Sequence, residues 1–353
     1  MAARSEVKRS RSAGAARRLP ISREPAGDGF IYRLNGRRIT KRSEIERLDA
    51  LAVPPAWADV EIARSPRAKV QARGIDAAGR TQTIYHPAFR RRQDRRKFAR
   101  LERFGAALPA LRAAVDRDLR RRRLNRDRVT ACAVRLIDRQ LFRVGSARYA
   151  EQHRSYGVTT LRAQHLDATT TSVGFDFVGK SGKRQRGRIR DTRVARLIAQ
   201  LEELPGPEVF RFFDEDGVVQ RLRSRHVNAY VKRHMGEEFT AKDFRTWGGT
   251  VVVASALLDL SEEQLASARA RTDALRAAVR EAAARLGNTP AVTRSSYVDP
   301  RVMEAADRPE VLARVQRSLA GRRSRRFLDP GEQGTLALLA EMSTTSTSRR
   351  AAR

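Results

Sequence analysis

The spacing of apolar residues changes near Pro87 from mostly strand-like to mostly helical, and that change limits the folds open to this chain. Before Pro87 the apolar positions alternate in short runs, FIYRL, VEIARS, KVQARG and TQTIYH, separated by Gly, Asp and Pro. Runs of this length with period two predict antiparallel strands. Asn35-Gly36 follows the first run, and both residue types accept the positive φ of a type I′ hairpin turn. Beyond Pro87 the period lengthens to 3.6 in LPALRAAVDRDL, DRVTACAVRLIDRQLF, TRVARLIAQLEEL, SRHVNAYVKRHM and SEEQLASARARTDALRAAVREAAARLG, which predicts helices. The last stretch opens with the capping-box pattern Ser261-x-x-Gln264 and stops at Gly287, so it reads as one long helix. Residues 169–178 (TTTSVGFDFV) alternate again; with Gly179-Lys180-Ser181-Gly182 and KRQRGRIR they read as a β-hairpin with a basic turn. The expected fold is α+β: a small N-terminal β-rich lobe, then a larger mainly α-helical lobe containing a β-hairpin.

A length of 353 residues fits two domains. The expected boundaries are a disordered basic tail over 1–18, a β-rich domain over 19–90, an α-helical domain over 91–342 and a second disordered tail over 343–353. Lys and Arg number 73 against 40 Asp and Glu, a net charge of +33, which is the electrostatic footprint of a protein that sits on a polyanion. A single cysteine excludes disulfide scaffolds and cysteine-based zinc modules; Cys132 lies in an apolar helical pattern and reads as a buried thiol. The five histidines lack metal-ligand spacing, so no metal is expected. No apolar run approaches the roughly 20 residues of a membrane span, and the N-terminus lacks a signal peptide's apolar stretch. A soluble intracellular protein follows as the expectation.

Residues 174–181 satisfy the pattern GxxxxGK[ST] of a phosphate-cradling P-loop. Such a loop needs a helix beginning at its Lys-Ser so that backbone N–H groups face the anion. Here two Phe, an Asp and a Val alternate between the glycines, and no helical period follows Ser181. The hairpin reading prevails and presents Lys180 at its turn.

Four further segments matter together: Leu141 to Tyr149 and Lys242 to Thr250, both of which place an Arg beside apolar anchors, then Asn288-Thr289-Pro290, and Arg294 to Val298 around Tyr297. Singly, each Arg reads as a solvated or phosphate-contacting group and the Tyr as half-buried packing. In order, Arg143, Lys180, Lys242-x-x-Arg245, Asn288 and Tyr297 resemble the active-site series of the type IB DNA topoisomerases, in particular the poxvirus-like bacterial subfamily. The resemblance covers nearly the whole chain. It includes Pro54-Pro55-Ala56-Trp57, the G-x-D-x-x-G-R-x-Q-x-x-Y-H stretch from Gly74 to His86, Arg143-x-Gly145-x-x-x-Tyr149, the F-V-G-K hairpin, K-D-x-R-T-x-G from Lys242, and N-T-P-x-x-x-R-x-x-Y from Asn288.

The resemblance implies a clamp of two lobes around duplex DNA, with Tyr297 as nucleophile on the C-terminal lobe. Arg143 and Arg245 would stabilise the charge that builds on the phosphate oxygens, since guanidiniums are fork-shaped and always charged. Neighbouring cations would lower the phenol of Tyr297 from about 10 toward the attacking phenolate. Lys180 would protonate the leaving 5′-oxygen, with Lys242 in support. Poxvirus members carry His nine residues before the nucleophile, where this chain has Asn288. An amide N–H can still donate to a phosphate oxygen, but without charge. Gln82, Tyr85 and Tyr149 are candidate DNA contacts. The expected partner is double-stranded DNA, with no membrane, cofactor, nucleotide or metal; a cytoplasmic, nucleoid-associated monomer is expected. Two other readings compete. A tyrosine recombinase shares the Arg/Lys/Arg/Tyr logic, but usually has His-x-x-Arg where this chain has Lys242-x-x-Arg245. A non-catalytic basic DNA binder would have no reason to carry the ordered set of unlike residues.

Overall fold

The computed structural model describes residues 18–321 and 325–351, so all but Arg18 of the expected N-terminal tail lies outside the described residues. The chain divides into two compact units, Met1–Arg96 and Lys97–Arg353.

The first unit is built on strands β1 (Ile21–Ala26), β2 (Gly29–Leu34), β3 (Arg37–Arg38), then helix α1 (Arg42–Asp49), and strands β4 (Ala58–Ile62), β5 (Val70–Ile75) and β6 (Thr81–Tyr85). They form one antiparallel sheet in the order β3-β2-β1-β4-β5-β6. The turn between β2 and β3 is Asn35-Gly36, with φ of 47° and 85°, as a type I′ turn demands. Ile21, Tyr32, Leu48, Val60, Ile62 and Ala72 make the unit's own core. Sequence periodicity missed β1 and α1. β1 carries Ser22, Arg23 and Glu24 between its apolar positions, and Arg23 is buried. Its guanidinium lies 4.0 Å from the Phe30 ring and donates to the carbonyls of Val53 (2.7 Å), Pro54 (2.9 Å) and Trp57 (3.0 Å). One arginine thus folds the Pro-Pro-Ala-Trp segment onto the sheet.

Helix α2 (Pro87–Ala99) carries the division between the units. The second unit continues with α3 (Leu101–Asp118), α4 (Arg126–Gln140) and α5 (Ala147–His153). Strands β7 (Leu166–Ala168), β8 (Ser172–Val178) and β9 (Arg184–Arg190) form a three-stranded antiparallel sheet. The P-loop reading fails on this geometry: β8 turns directly into β9, pairing Val178 with Arg184, and Ser181 and Gly182 take positive φ in the turn. Then come α6 (Thr192–Glu202), the hairpin of β10 (Arg211–Phe213) and β11 (Val219–Arg221), α7 (Ser224–Met235), α8 (Ala241–Leu258), α9 (Glu262–Ala266), α10 (Ala268–Leu286), α11 (Pro290–Ser296), α12 (Pro300–Ala305), α13 (Pro309–Leu319) and α14 (Pro330–Ala351).

Two sequence expectations need correction. The single long helix from Ser261 to Gly287 is two helices. Ser267 is extended (φ −85°, ψ 113°), its hydroxyl caps α10 by accepting from Ala270 N, and the buried Arg271 donates to the carbonyls of Leu265 and Ala306. A side-chain acceptor and a buried guanidinium replace the backbone bonds lost at the break. The C-terminal segment from 343, expected as a disordered tail, is helical as far as Ala351. Ser343 and Thr344 donate to the carbonyls of Leu339 and Ala340 one turn back, so hydroxyl residues are carried within the helix.

The second unit's core centres on α3, α4, α8 and α14. Phe104 packs edge-on against Phe244 and Phe239, and Trp247 lies over Gly105, where an added Cβ would fall 2.3 Å from the indole. Buried Arg112 joins two carboxylates: Glu332 at 2.6 and 2.7 Å and Asp138 at 2.8 Å through two nitrogens. Glu332 also accepts from Trp247 Nε1 at 3.0 Å. Cys132 is fully buried in α4, and burial pushes its thiol up to about 12. Removing one partner of a buried ionic network leaves the others uncompensated. Glu332→Ala is expected to lower the unfolding free energy by about 3–5 kcal/mol in urea titrations, and a loss below about 1 kcal/mol would show that the network does not hold these helices together.

Candidate active site

Helix α4 ends at Leu141, which takes the left-handed conformation (φ 55°), and the chain leaves as Phe142-Arg143-Val144-Gly145. This segment runs against Gly157: Val158 N donates to Arg143 O at 2.9 Å, and a Cβ on Gly157 would fall 2.5 Å from that same carbonyl. Helix α10 ends at Leu286, and Gly287 (φ 59°) turns the chain into Asn288. Arg143 and Asn288 meet in the fold: Arg143 Nη2 donates to Asn288 Oδ1 at 2.9 Å.

Arg245 explains why the two helix ends converge. It lies on α8, is 3% exposed, and donates through Nη1 to Leu141 O and through Nη2 to Leu286 O, the latter at 2.7 Å. Carbonyls at a helix C-terminus lack intrahelical partners and sit at the negative end of the helix dipole, so one cation satisfies both. The same guanidinium carbon lies 5.2 Å from the ring centroid of Tyr297. Burial, then the like charge of Arg143, holds Arg245 down to about 10, so it remains charged at neutral pH. The fork expected to grip a phosphate is therefore already engaged by backbone carbonyls. Its Nε is buried without a partner among the described residues, as is Asn288 Nδ2.

Tyr297 follows α11, whose first turn is set by Thr289 accepting from Val292 N and by Pro290 at its start. Its backbone is pinned from two sides. Its N–H donates to Thr293 O at 2.9 Å, and Gly249 of α8 sits so close that a Cβ there would fall 2.7 Å from Tyr297 O. Burial alone would raise the phenol, but the positive charges of Arg245 and Arg143, a hydrogen bond from Arg245 and, last, the charge of Lys242 outweigh it and hold Tyr297 below its ordinary value. The buried phenols of Tyr32 and Tyr230 shift the opposite way, through burial and through hydrogen bonds to Asp49 and Asp118.

The structure thus gathers Arg143, Arg245, Asn288 and Tyr297. Lys242 is exposed on α8, one turn before Arg245. Lys180 is exposed on the β8–β9 turn and makes no polar side-chain contact with the other four among the described residues. In the first unit, Gln82 donates to Asp76 at 2.8 Å, and Tyr85, 39% exposed, packs its ring 5.3 Å from Phe89. Tyr149 is 44% exposed on α5, with its ring 5.7 Å from that of His153 one turn on.

Three supporting features escaped the sequence reading. Asp243, buried beside Lys242, accepts from Thr240 N and Oγ1 and from Arg100 at 2.6 Å. The spacing Thr240-x-x-Asp243 at a helix start is a legible signal for the first of these contacts. Lys97 Nζ reaches Ser296 O at 3.0 Å, next to Tyr297, and Gln185 is buried between Gly179 and Gly287; no local pattern signals either. Among the described residues no group of His, Cys, Asp and Glu could hold a metal ion, and no helix is long and apolar enough to cross a membrane.

Residues 86–319 match the family described as eukaryotic DNA topoisomerase I, catalytic core, and residues 29–76 match bacterial DNA topoisomerase IB, N-terminal domain. A DNA topoisomerase 1B of Acanthamoeba polyphaga mimivirus is 35% identical over 285 residues, covering 79% of this chain and 84% of that protein. A DNA topoisomerase 1 of Mycosarcoma maydis is 25% identical over 197 residues, 51% of this chain and 19% of that one. The match over 86–319 contains all six residues of the candidate site.

Cations favour the phenolate, so an ultraviolet difference titration against the Tyr297→Phe variant is expected to isolate one phenol ionising below about 10. In Arg143→Gln its midpoint is expected to rise, because a favourable charge is lost while burial remains. An unchanged midpoint would place the electrostatic control of Tyr297 elsewhere.

Proposed function

The chain belongs to the type IB DNA topoisomerases, and from that premise we propose that it relaxes supercoiled duplex DNA by cutting one strand through a transient 3′-phosphotyrosyl bond at Tyr297. The observation that carries this reading is the Tyr297 phenol against a buried guanidinium, beside the Arg143–Asn288 pair, with two buried N–H donors unpartnered. Leaving a buried donor unsatisfied costs about 1–3 kcal/mol, which an incoming acceptor would recover. A phosphodiester oxygen is such an acceptor.

In the proposed cycle the Tyr297 phenolate attacks the phosphorus, forming a Tyr–O–P bond as the P–O5′ bond breaks. Arg143 faces the phosphate oxygens as they gain charge. Arg245, its fork held by Leu141 and Leu286, acts through its charge and its free Nε–H rather than by bidentate contact. Asn288 donates through Nδ2 to a non-bridging oxygen while its Oδ1 orients Arg143. Lys180 delivers a proton to the departing 5′-oxygen, and Lys242 adds positive charge near the phenol. One phosphoester replaces another, so the 5′-hydroxyl can reverse the step after the free end swivels, and no nucleotide need be hydrolysed. The working form we propose is a monomer on double-stranded DNA, with Gln82, Tyr85 and Tyr149 as further DNA contacts.

Purified protein is expected to relax both positively and negatively supercoiled plasmid in EDTA without nucleotide. Tyr297→Phe is expected to abolish relaxation and retain DNA binding by gel shift; normal relaxation by that variant would move the nucleophile elsewhere. Asn288→Ala is expected to slow single-turnover cleavage by about 10²–10³, the range for losing one oxyanion donor. Near-normal rates would make the Asn288 amide a spectator.

A further inference from the structure

Lys180 must work on an atom held by residues on other elements, yet among the described residues no polar contact of its own side chain fixes it there. What fixes the turn beneath it is Gln185. This residue pairs with Phe177 across the β8–β9 hairpin and is 6% exposed, whereas its neighbours Arg184 and Arg186 are exposed. Its side chain runs between two glycines. An added Cβ on Gly179, directly before Lys180, would fall 2.9 Å from Gln185 Cγ. On Gly287, directly before Asn288, it would fall 2.0 Å from Gln185 Nε2. The side chain is therefore wedged between the turn that carries the ammonium and the corner that carries the amide, and only glycine at both places leaves room for it.

The rest of the hairpin is held against the residues that precede Arg143. Phe177 stacks edge-on against Phe142 at 5.0 Å, and Phe142 precedes Arg143. Gly187 lies against Gln140 and Phe142, where an added Cβ would fall 2.2 Å from Gln140 Oε1. The strand body is thus registered to Arg143 and the turn, through Gln185, to Asn288. The polar anchoring of the Gln185 amide is slight: its Nε2 reaches Arg184 O at 3.4 Å, within its own strand. Its influence on the turn is therefore one of shape.

We propose that Gln185 is a positioning residue for proton delivery, a spacer whose length sets the distance from Lys180 to the leaving oxygen. The inference rests on Lys180 being the group that protonates that oxygen. Its signature follows from the leaving group. A 5′-oxygen needs a proton as the P–O bond breaks; a 5′-sulfur departs as a thiolate, whose conjugate acid has a pKa of about 8.5, and needs none.

The experiment is single-turnover cleavage of two duplexes that differ only in oxygen or sulfur at the scissile 5′ position, with wild type, Gln185→Ala, Gln185→Met and Lys180→Ala. Gln185→Ala is expected to slow the oxygen substrate by about ten- to a hundredfold and the sulfur substrate by less than about threefold, the scale of a misplaced catalytic group. Gln185→Met, which keeps the length and drops the amide, is expected to restore wild-type rates on both. Equal slowing of both substrates by Gln185→Ala, slowing of neither, or a Met variant as slow as the Ala variant would overturn the spacer. Lys180→Ala separates the two claims. If it is selective for oxygen and Gln185→Ala is not, only the inference about Gln185 falls; if Lys180→Ala slows both substrates equally, its role as acid falls and the inference with it.

Discussion

A single buried guanidinium organises the candidate active site. Arg245 joins the carbonyl ends of α4 and α10, and the residues that follow those ends, Arg143 and Asn288, are brought into hydrogen-bond contact as a consequence. The negative ends of two helix dipoles compensate a charge that would otherwise be prohibitive to bury. Because both terminal nitrogens are engaged, Arg245 cannot swing toward a ligand. It is a fixed positive charge against which Tyr297 rests, and this immobility keeps the phenol acidified before any DNA arrives.

That arrangement in turn depends on α8 being held still. Trp247, two residues beyond Arg245, donates to Glu332, which is gripped by Arg112 together with Asp138 of α4. The network spans four helices and includes the two that present Arg245 and precede Arg143. Buried ionic networks contribute little net stability compared with apolar packing, but they tolerate only one geometry. Here that geometry fixes how α8 meets α4, the relation on which the position of Arg143 depends. Gly105 and Gly249 allow the close approaches, one beneath Trp247 and the other beneath Tyr297.

Much of the fold was legible because periodicity reports burial directly. α7 begins and ends where its apolar pattern does, the Asn35-Gly36 turn has the two positive φ values its residues favour, and the Gly174–Ser181 decoy was exposed by the strand alternation of its own interior. The failures have a common cause. Ser267 breaks an apparently continuous helix because a guanidinium from α10 and a serine cap replace the lost backbone bonds, and neither exchange alters the apolar period. β1 was passed over because its inward-facing residues include an arginine whose partners, the carbonyls of 53–57, lie about thirty residues away.

The order and identity of Arg143, Lys180, Lys242, Arg245, Asn288 and Tyr297 were already determined by the sequence, as was the chemistry such side chains can perform, because charge, fork geometry and nucleophilicity belong to the residues themselves. What only the tertiary structure decided is which of them act on one another. That Arg245 binds carbonyls, that Asn288 shares its amide with Arg143, and that Gln185 reaches the corner before Asn288 all arise from contacts between residues 41 to 145 positions apart. Such contacts are set by packing in three dimensions, which leaves no periodic trace in one.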